Sequence, residues 1–379
     1  MSKEPLHTIA EKNRLYRRFV ERFESGRSFI VSGHTNPDAD CLATMVAVAL
    51  LIRKFSKPVC LITAGHMPKN LDYLLTIARY NGVVVNEKPE YLPDTGVVCD
   101  TAKPSLLPEE RELQRLLDAE DGVMMEIDHH LGGDSRYIAR REYALVDQAS
   151  SACSLVARLA IKIYNAGVVE GVFSRNVVVS LLTGMVGDTQ MGKVLASHRE
   201  ARMYTLLTNY LDGMLQEKTF TQGNFNDSEH LYMEMVRLSD AERTVWTYLM
   251  EQKRFDGAVG YIALRPEESR TLFDTYGADV VVSVARSATD RLAEESGRLG
   301  LVIYYDGRHD KSLIQCRMRR NYEYEGVDLR NLLNRLGVTD GGGHPGAIGF
   351  RFQRSRVKDY EGFVERIVEA GNHLVAEAE

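Results

Sequence analysis

Short apolar runs alternate with longer amphipathic stretches along the first half of the chain. The runs at 29–31, 59–62, 83–85, 96–99, 123–127 and 144–146 are brief and rich in Val, Ile and Met, and they predict buried strands. Between and after them, apolar residues at helical spacing predict helices over 11–23, 41–55, 70–79, 108–117, 151–165 and 176–185. That alternation predicts an α/β fold, a parallel sheet with helices on both faces, over residues 1–196. The pattern then turns helical and charged. Helices at 205–215 and 230–238 predict a connector over 197–254, packing on the first domain or on a second subunit in a homodimer. From 255 to 379, strands at 258–262, 280–284, 301–305 and 313–318 and a closing helix at 357–376 predict a smaller α/β domain with a mixed sheet.

Composition narrows the class. A chain of 379 residues accommodates two ordinary domains, and 44% hydrophobic with 26% charged residues is the balance of a globular protein. The net charge of -6 argues against a broad nucleic-acid-coating surface, and so against long duplex partners. A small basic pocket remains compatible with it. No apolar run approaches the roughly 18 residues that span a bilayer, and Met1 to His7 lack the apolar core of a signal peptide. Five scattered cysteines (Cys41, Cys60, Cys99, Cys153, Cys316) predict reduced thiols. A cytoplasmic protein without a membrane partner is expected. There is no CxxC pair, P-loop or GxGxxG fingerprint.

Polar clusters punctuate the carboxyl ends of the predicted strands. Ser32-Gly33-His34-Thr35-Asn36-Pro37-Asp38-Ala39-Asp40 follows the first run, Asp100-Thr101-Ala102 the fourth, and Asp128-His129-His130-Leu131-Gly132-Gly133 the fifth. Gly184-Met185-Val186-Gly187-Asp188-Thr189 follows the helix at 176–185. Each has an ordinary structural reading: Asp38, Asp100 and Asp188 serve as helix caps, and His129 as a core or surface histidine. In a parallel sheet, however, all carboxyl ends share one edge, where open α/β sheets bind ligands. His34, Asp38, Asp40, Asp100, His129, His130 and Asp188 exceed what one metal needs. Two ions about 3.5–4 Å apart, sharing a bridging carboxylate, would use most of them, a recurrent device for phosphoryl transfer.

These four stretches resemble the motifs of the DHH phosphoesterases. Gly341-Gly342-Gly343-His344-Pro345-Gly346-Ala347-Ile348-Gly349-Phe350 resembles the glycine-rich signature of the associated DHHA1 domain. The resemblance implies a phosphoesterase with two divalent ions, expected to be Mn2+, in the amino-terminal domain. His34 and Asp38 would hold one ion; Asp40, His129 and Asp188 would hold the other, with Asp100 bridging. His130 would meet the scissile phosphate. Asp128 is expected to orient its neighbours rather than bind metal, since ligating imidazoles are usually steadied by a carboxylate. The nucleophile would be a metal-activated water.

The carboxy-terminal part carries candidate substrate residues. Strand alternation places Arg317 and Arg319 on one face, with Arg308, Lys311 and Arg320 nearby in sequence. Guanidinium groups suit bidentate phosphate contacts, although a solvated basic edge strand would look the same. Gly342 and Gly343 offer unobstructed N–H groups, as an anion nest or as a plain turn, with His344 beside them. The resemblance implies that Arg317, Arg319, Gly342, Gly343 and His344 hold the terminal phosphate or base of a small nucleotide. In length and motif order the chain is most similar to the oligoribonuclease and pAp phosphatase branch, implying short oligoribonucleotides, pApA-type linear dinucleotides or pAp as substrates. It departs from that branch at Cys153 and Ser154, after Thr189 (Gln190-Met191-Gly192), and at Pro345 and Gly346. The departures keep an exopolyphosphatase open as an alternative, and a non-catalytic nucleotide sensor as a rival of another class.

Overall fold

A computed structural model describes residues 2–378 except 88–90, 120–121, 133, 190, 193–194, 215–224, 226, 307–312 and 339. Gly133, Gln190, Arg308 and Lys311 therefore lie outside the described residues. The chain divides into two compact units, Met1–Arg237 and Leu238–Glu379.

The first unit opens with helix α1 (Ile9–Ser25), held at its start by a capping box of Thr8 and Glu11. Strands β1 (Phe29–Gly33), β2 (Val59–Ile62), β3 (Val84–Val85), β4 (Thr95–Cys99), β5 (Val123–Asp128) and β6 (Ala144–Val146) form one sheet in the order β3-β2-β1-β4-β5-β6. Every pairing in it is parallel. Helices α2 (Ala39–Lys54), α3 (Asp72–Tyr80) and α4 (Arg111–Asp118) connect these strands, and α5 (Ala152–Ala166) and α6 (Arg175–Thr189) follow them. Alternation along β1 sends Phe29 and Val31 into the core shared with α1, α2, α5 and α6, while Ile30 meets the core under α4. Both faces are covered, so these strands read as continuous apolar runs. The six strands predicted for this unit all form, within a residue or two.

The stretch expected as a connector is shared between the units. Helices α7 (His198–Met214) and α8 (Ser228–Met235) lie in the first, where Leu207, Leu211 and Leu231 enter its core. Helix α9 (Asp240–Glu251) lies in the second, burying Val245 and Leu249.

The second unit builds a mixed sheet in the order β11-β12-β10-β9-β8-β7. Its strands are β7 (Arg254–Asp256), β8 (Val259–Ala263), β9 (Leu299–Tyr305), β10 (Leu313–Arg320), β11 (Gly341–His344) and β12 (Ala347–Gln353). Among its described residues only β8 and β9 pair in parallel, across helices α10 (Pro266–Tyr276) and α11 (Ala278–Ser296). A short α12 (Arg330–Arg335) precedes β11, and α13 (Tyr360–Ala376) closes the chain.

One predicted strand is wrong. Residues 280–284 lie inside α11, where Val281, Val284, Ala285, Ala288 and Leu292 are buried at helical spacing. The β-branched run at 280–284 suggested a strand, but the apolar repeat continues for three turns, and packing on β8 and β9 overrides propensity. All five cysteines are buried and unpaired. Among the described residues no helix is long and apolar enough to cross a membrane.

Candidate metal centre

Strand order 3-2-1-4-5-6 reverses its winding between β1 and β4, and the crevice outside those two carboxyl ends is where such sheets bind ligands. His34 follows β1 and Asp100 follows β4. The loop after β1 is pinned from two sides. Thr35 N donates to Leu106 O, and Asn36 N donates to Ala64 O. The Asn36 side chain accepts from His66 N. Both Asn36 (φ 57°) and Asp100 (φ 47°) take the left-handed conformation that short polar side chains tolerate.

His129 is the hub. Its Nδ1 lies 3.2 Å from the Ala149 carbonyl oxygen, which turns Nε2 inward. Around Nε2 stand Asp100 Oδ1 at 3.3 Å, Asp188 Oδ2 at 3.5 Å and Asp40 Oδ2 at 3.9 Å. Asp40, in the first turn of α2, accepts from the Ala152 and Cys153 N–H groups at the start of α5, so two helix amino termini face it. Asp188 was expected beyond a helix; it sits instead in the last turn of α6, whose dipole disfavours an anion. Gly184 makes the α2–α6 approach possible. A Cβ there would stand 2.5 Å from Asp40 Oδ1 and 2.3 Å from Cys153 Sγ.

Three carboxylates on one imidazole leave charge to be balanced. Burial first, and then Asp100, push the Asp40 carboxyl up to about 7. Burial and Asp40 push Asp188 well above the carboxylate range. Burial acts on Asp100 in the same sense, yet His129 and His130 beside it hold it low. Asp100 Oδ1 is buried and makes no hydrogen bond. Crowded carboxylates interleaved with imidazole nitrogens, one of their buried oxygens without a hydrogen bond, are what a divalent ion of the Mn or Zn kind would satisfy, so the donors fit the group. Among the described residues, ligand atoms lie within 4.8 Å of one another in three sets: Asp40, His129 and Asp188; Asp100, His129 and His130; and His34, Cys41 and Asp100. Asp100 belongs to two of them, as a bridging ligand would.

Asp38 stands apart from these sets. It caps α2 by accepting from Cys41 N at 3.1 Å, is half-exposed, and lies 4.0 Å from His34 Nε2. Cys41 takes its place in the third set, a neighbour that motif reading passed over. His130 donates through Nδ1 to Asp128 Oδ1 at 2.7 Å and lies 3.4 Å from Asp100 Oδ1. Asp128 is fully buried and belongs to none of the three sets. Its second oxygen meets Lys3 Nζ at 2.5 Å, a partner that nothing in the sequence pattern marked.

In the second unit, register places Arg317, Gly342 and Gly349 in one cross-strand row and Arg319, Ala347 and His344 in the next. Directly paired residues share a face, so these candidates stand together on the sheet. The glycine-rich stretch is an extended edge strand rather than a nest. Its successive N–H groups point to opposite sides, whereas a nest needs them convergent. Gly343 is forced to be glycine, at φ +145° with the Ala347 carbonyl oxygen 2.2 Å from where a Cβ would lie. Arg319 is paired with Asp290 of α11 (Nε to Oδ1, 2.8 Å), and Arg317 Nε donates to Tyr304 Oη at 3.4 Å.

Residues 28–185 match the model of the DHH family, N-terminal domain. A comparison with curated proteins finds no match. Among solved structures, an exopolyphosphatase-related protein from Bacteroides fragilis superposes with a TM-score of 0.71 at 17% identity, over 96% of this chain and 98% of that one. At that identity the likeness is one of fold. The pGpG-specific phosphodiesterase PggH from Vibrio cholerae matches at TM-score 0.36 and 13% identity, covering 91% of this chain and 100% of that one. CDC45 from Entamoeba histolytica matches at 0.41 and 8%, covering 95% and 99%. Scores that low carry no argument. The matched stretch runs from β1 into α6, and so contains the whole parallel sheet.

Proposed function

We propose that the protein is a divalent-metal-dependent phosphoesterase that hydrolyses short phosphorylated nucleotides, such as oligoribonucleotides, pApA-type dinucleotides and pAp, with water as nucleophile. The observation that carries this reading is the closure of Asp40, Asp100 and Asp188 around one imidazole nitrogen, with a buried Asp100 oxygen left unbonded. Asp40, His129 and Asp188 would hold one ion, His34 the other with Asp38 at its rim, and Asp100 both. Two such ions, Mn2+ by the mixed imidazole and carboxylate donors, would activate water and neutralise phosphoryl oxygens.

The chain's own groups do the rest. The Ala149 carbonyl fixes the His129 tautomer, so that Nε2 is the ligating atom. Asp128 commits His130 Nδ1, which leaves Nε2 as the atom to meet a phosphoryl oxygen as charge develops there. Arg317, Arg319 and His344 are assigned to the substrate's terminal phosphate or base, over a floor that Gly342 and Gly349 leave free of side chains.

The test is one assay of the full chain with Mn2+, offered pAp, pApA, a short RNA and polyphosphate side by side. Release of mononucleotide from pApA, abolished by EDTA, is expected. Phosphate release from polyphosphate alone would move the protein to the exopolyphosphatase reading, which the fold likeness to an exopolyphosphatase-related protein keeps in view. Nucleotide binding without turnover of any of the four would overturn catalysis and leave a sensor.

A further inference from the structure

We propose that Lys3 is a positioning residue of this site, and that the amino-terminal segment at residues 2–4 is a strap built into it. The inference rests on the phosphoesterase reading and extends it to a part of the chain that lies outside every motif.

A lysine outside any helix or strand ordinarily sits in water. Lys3 is 3% exposed, and its ammonium is fully buried. Removing an ammonium from water is costly, and a buried ion cluster replaced whole by apolar side chains often leaves a fold as stable or more so. Stability alone is therefore a poor reason for it.

Its contacts supply a better one. Nζ lies 2.6 Å from Glu126 Oε1 and 2.5 Å from Asp128 Oδ2, and donates to the Thr101 carbonyl oxygen at 2.6 Å. Glu126 and Asp128 are two apart on β5 and so share a face, where two buried carboxylates would repel without a cation between them. Glu126 is itself fixed, because Oε2 accepts from the Ile138 and Ala139 N–H groups. With Glu126 and the Thr101 carbonyl anchoring the ammonium, the group it steers is Asp128. The other Asp128 oxygen then receives the His130 Nδ1–H at 2.7 Å. Lys3 thereby touches the residue after Asp100 and the residue before His129.

The strap has its own fastenings. Ser2 forms a bridge with Arg136, whose N–H donates to Ala102 O. Glu4 N donates to the Tyr137 hydroxyl, which donates back to Glu4 O. Those bonds tie the segment to both the Asp100 loop and the loop that follows His130.

The deciding variant is Lys3→Met combined with Glu126→Gln. It removes the cation together with one of the two carboxylates, so no extra charge is left buried, and the glutamine oxygen still accepts from Ile138 and Ala139. If Lys3 served charge balance alone, this protein would turn over like wild type. Positioning predicts kcat lower by about 10- to 100-fold, the usual loss when a group that orients a ligand is removed, with KM within about twofold. Adding Asp128→Asn to Lys3→Met should cost no more than Asp128→Asn by itself, because the two act in series.

A readout independent of metal and substrate is the imidazole Nδ1–H resonance of His130 in metal-free protein. It is expected downfield in wild type and lost in the Lys3→Met, Glu126→Gln protein. Wild-type kcat in that protein, or an unchanged resonance, overturns the proposal. A wild type that cleaves no phosphoester removes the phosphoesterase reading instead, and the resonance still decides the Lys3–Asp128–His130 contact.

Discussion

In the first unit Asp40, Asp100 and Asp128 are buried around two imidazoles and Glu126 shares Lys3 with Asp128, whereas in the second Arg317, Arg319 and Arg351 stand on a sheet face that remains partly open. Both are clusters of like charge, but solvent separates their consequences. Buried carboxylates cannot be screened, so each must be matched by a cation, and here Lys3 matches one pair while the rest face one another and His129. Surface guanidinium groups are hydrated and cost the fold little. On the proposed function, the first arrangement would hold metal and the second would exchange an anionic ligand.

The hardest blow to that contrast is Asp100→Ala. Turnover should fall by roughly a thousandfold or more, since several kcal/mol of charge stabilisation are lost at tenfold per ~1.4 kcal/mol. The metal-free melting temperature should fall, because His129 and His130 lose the carboxylate that both face, and added Mn2+ should raise it less than in wild type. Retained activity, or a rise with Mn2+ equal to that of wild type, would mean that Asp100 holds no metal.

Next comes Gly343→Ala in the second unit. Its φ of +145° belongs to a region open essentially to glycine alone, so a loss of about 1–3 kcal/mol is expected in that unit's unfolding, read by denaturant titration. An unfolding midpoint equal to wild type would show that β11 is not held in this conformation.

Arg319→Ala should raise KM for a phosphate-ended dinucleotide about tenfold, the size of one lost charged hydrogen bond. Little change in kcat is expected, and little change with a substrate lacking the terminal phosphate. Equal KM values for both proteins would place the phosphate contact elsewhere.

The gentlest effect is a slope with pH. Asp40 at about 7 and Asp188 lie above the usual carboxylate range, and His129 and His130 above the usual imidazole range. Each binds its proton more tightly folded than unfolded. Their stabilisation is complete at low pH and is lost as pH rises through the folded values. Metal-free protein should therefore melt at a lower temperature near pH 8 than near pH 5, read by calorimetry. Asp100, held low, acts in the opposite sense only below about pH 4. Added Mn2+ should flatten the slope, and a metal-free melting temperature that rises with pH would contradict the crowding.

Local pattern alone determined the parallel sheet, because strands buried on both faces are written as short apolar runs, and it determined that His34, Asp40, Asp100 and His129 sit at one sheet edge. Those residues lie at strand ends, where chain direction fixes position. Tertiary structure decided the rest. Residues 280–284 became helix because two packed strands reward the longer repeat. The triple glycine became an edge strand because β12 supplies its partners. Arg319 acquired Asp290, and Asp128 acquired Lys3, across 29 and 125 residues of chain. Pairings at such separations depend on how layers stack, and a charge carries no mark of its partner until the fold removes them both from water.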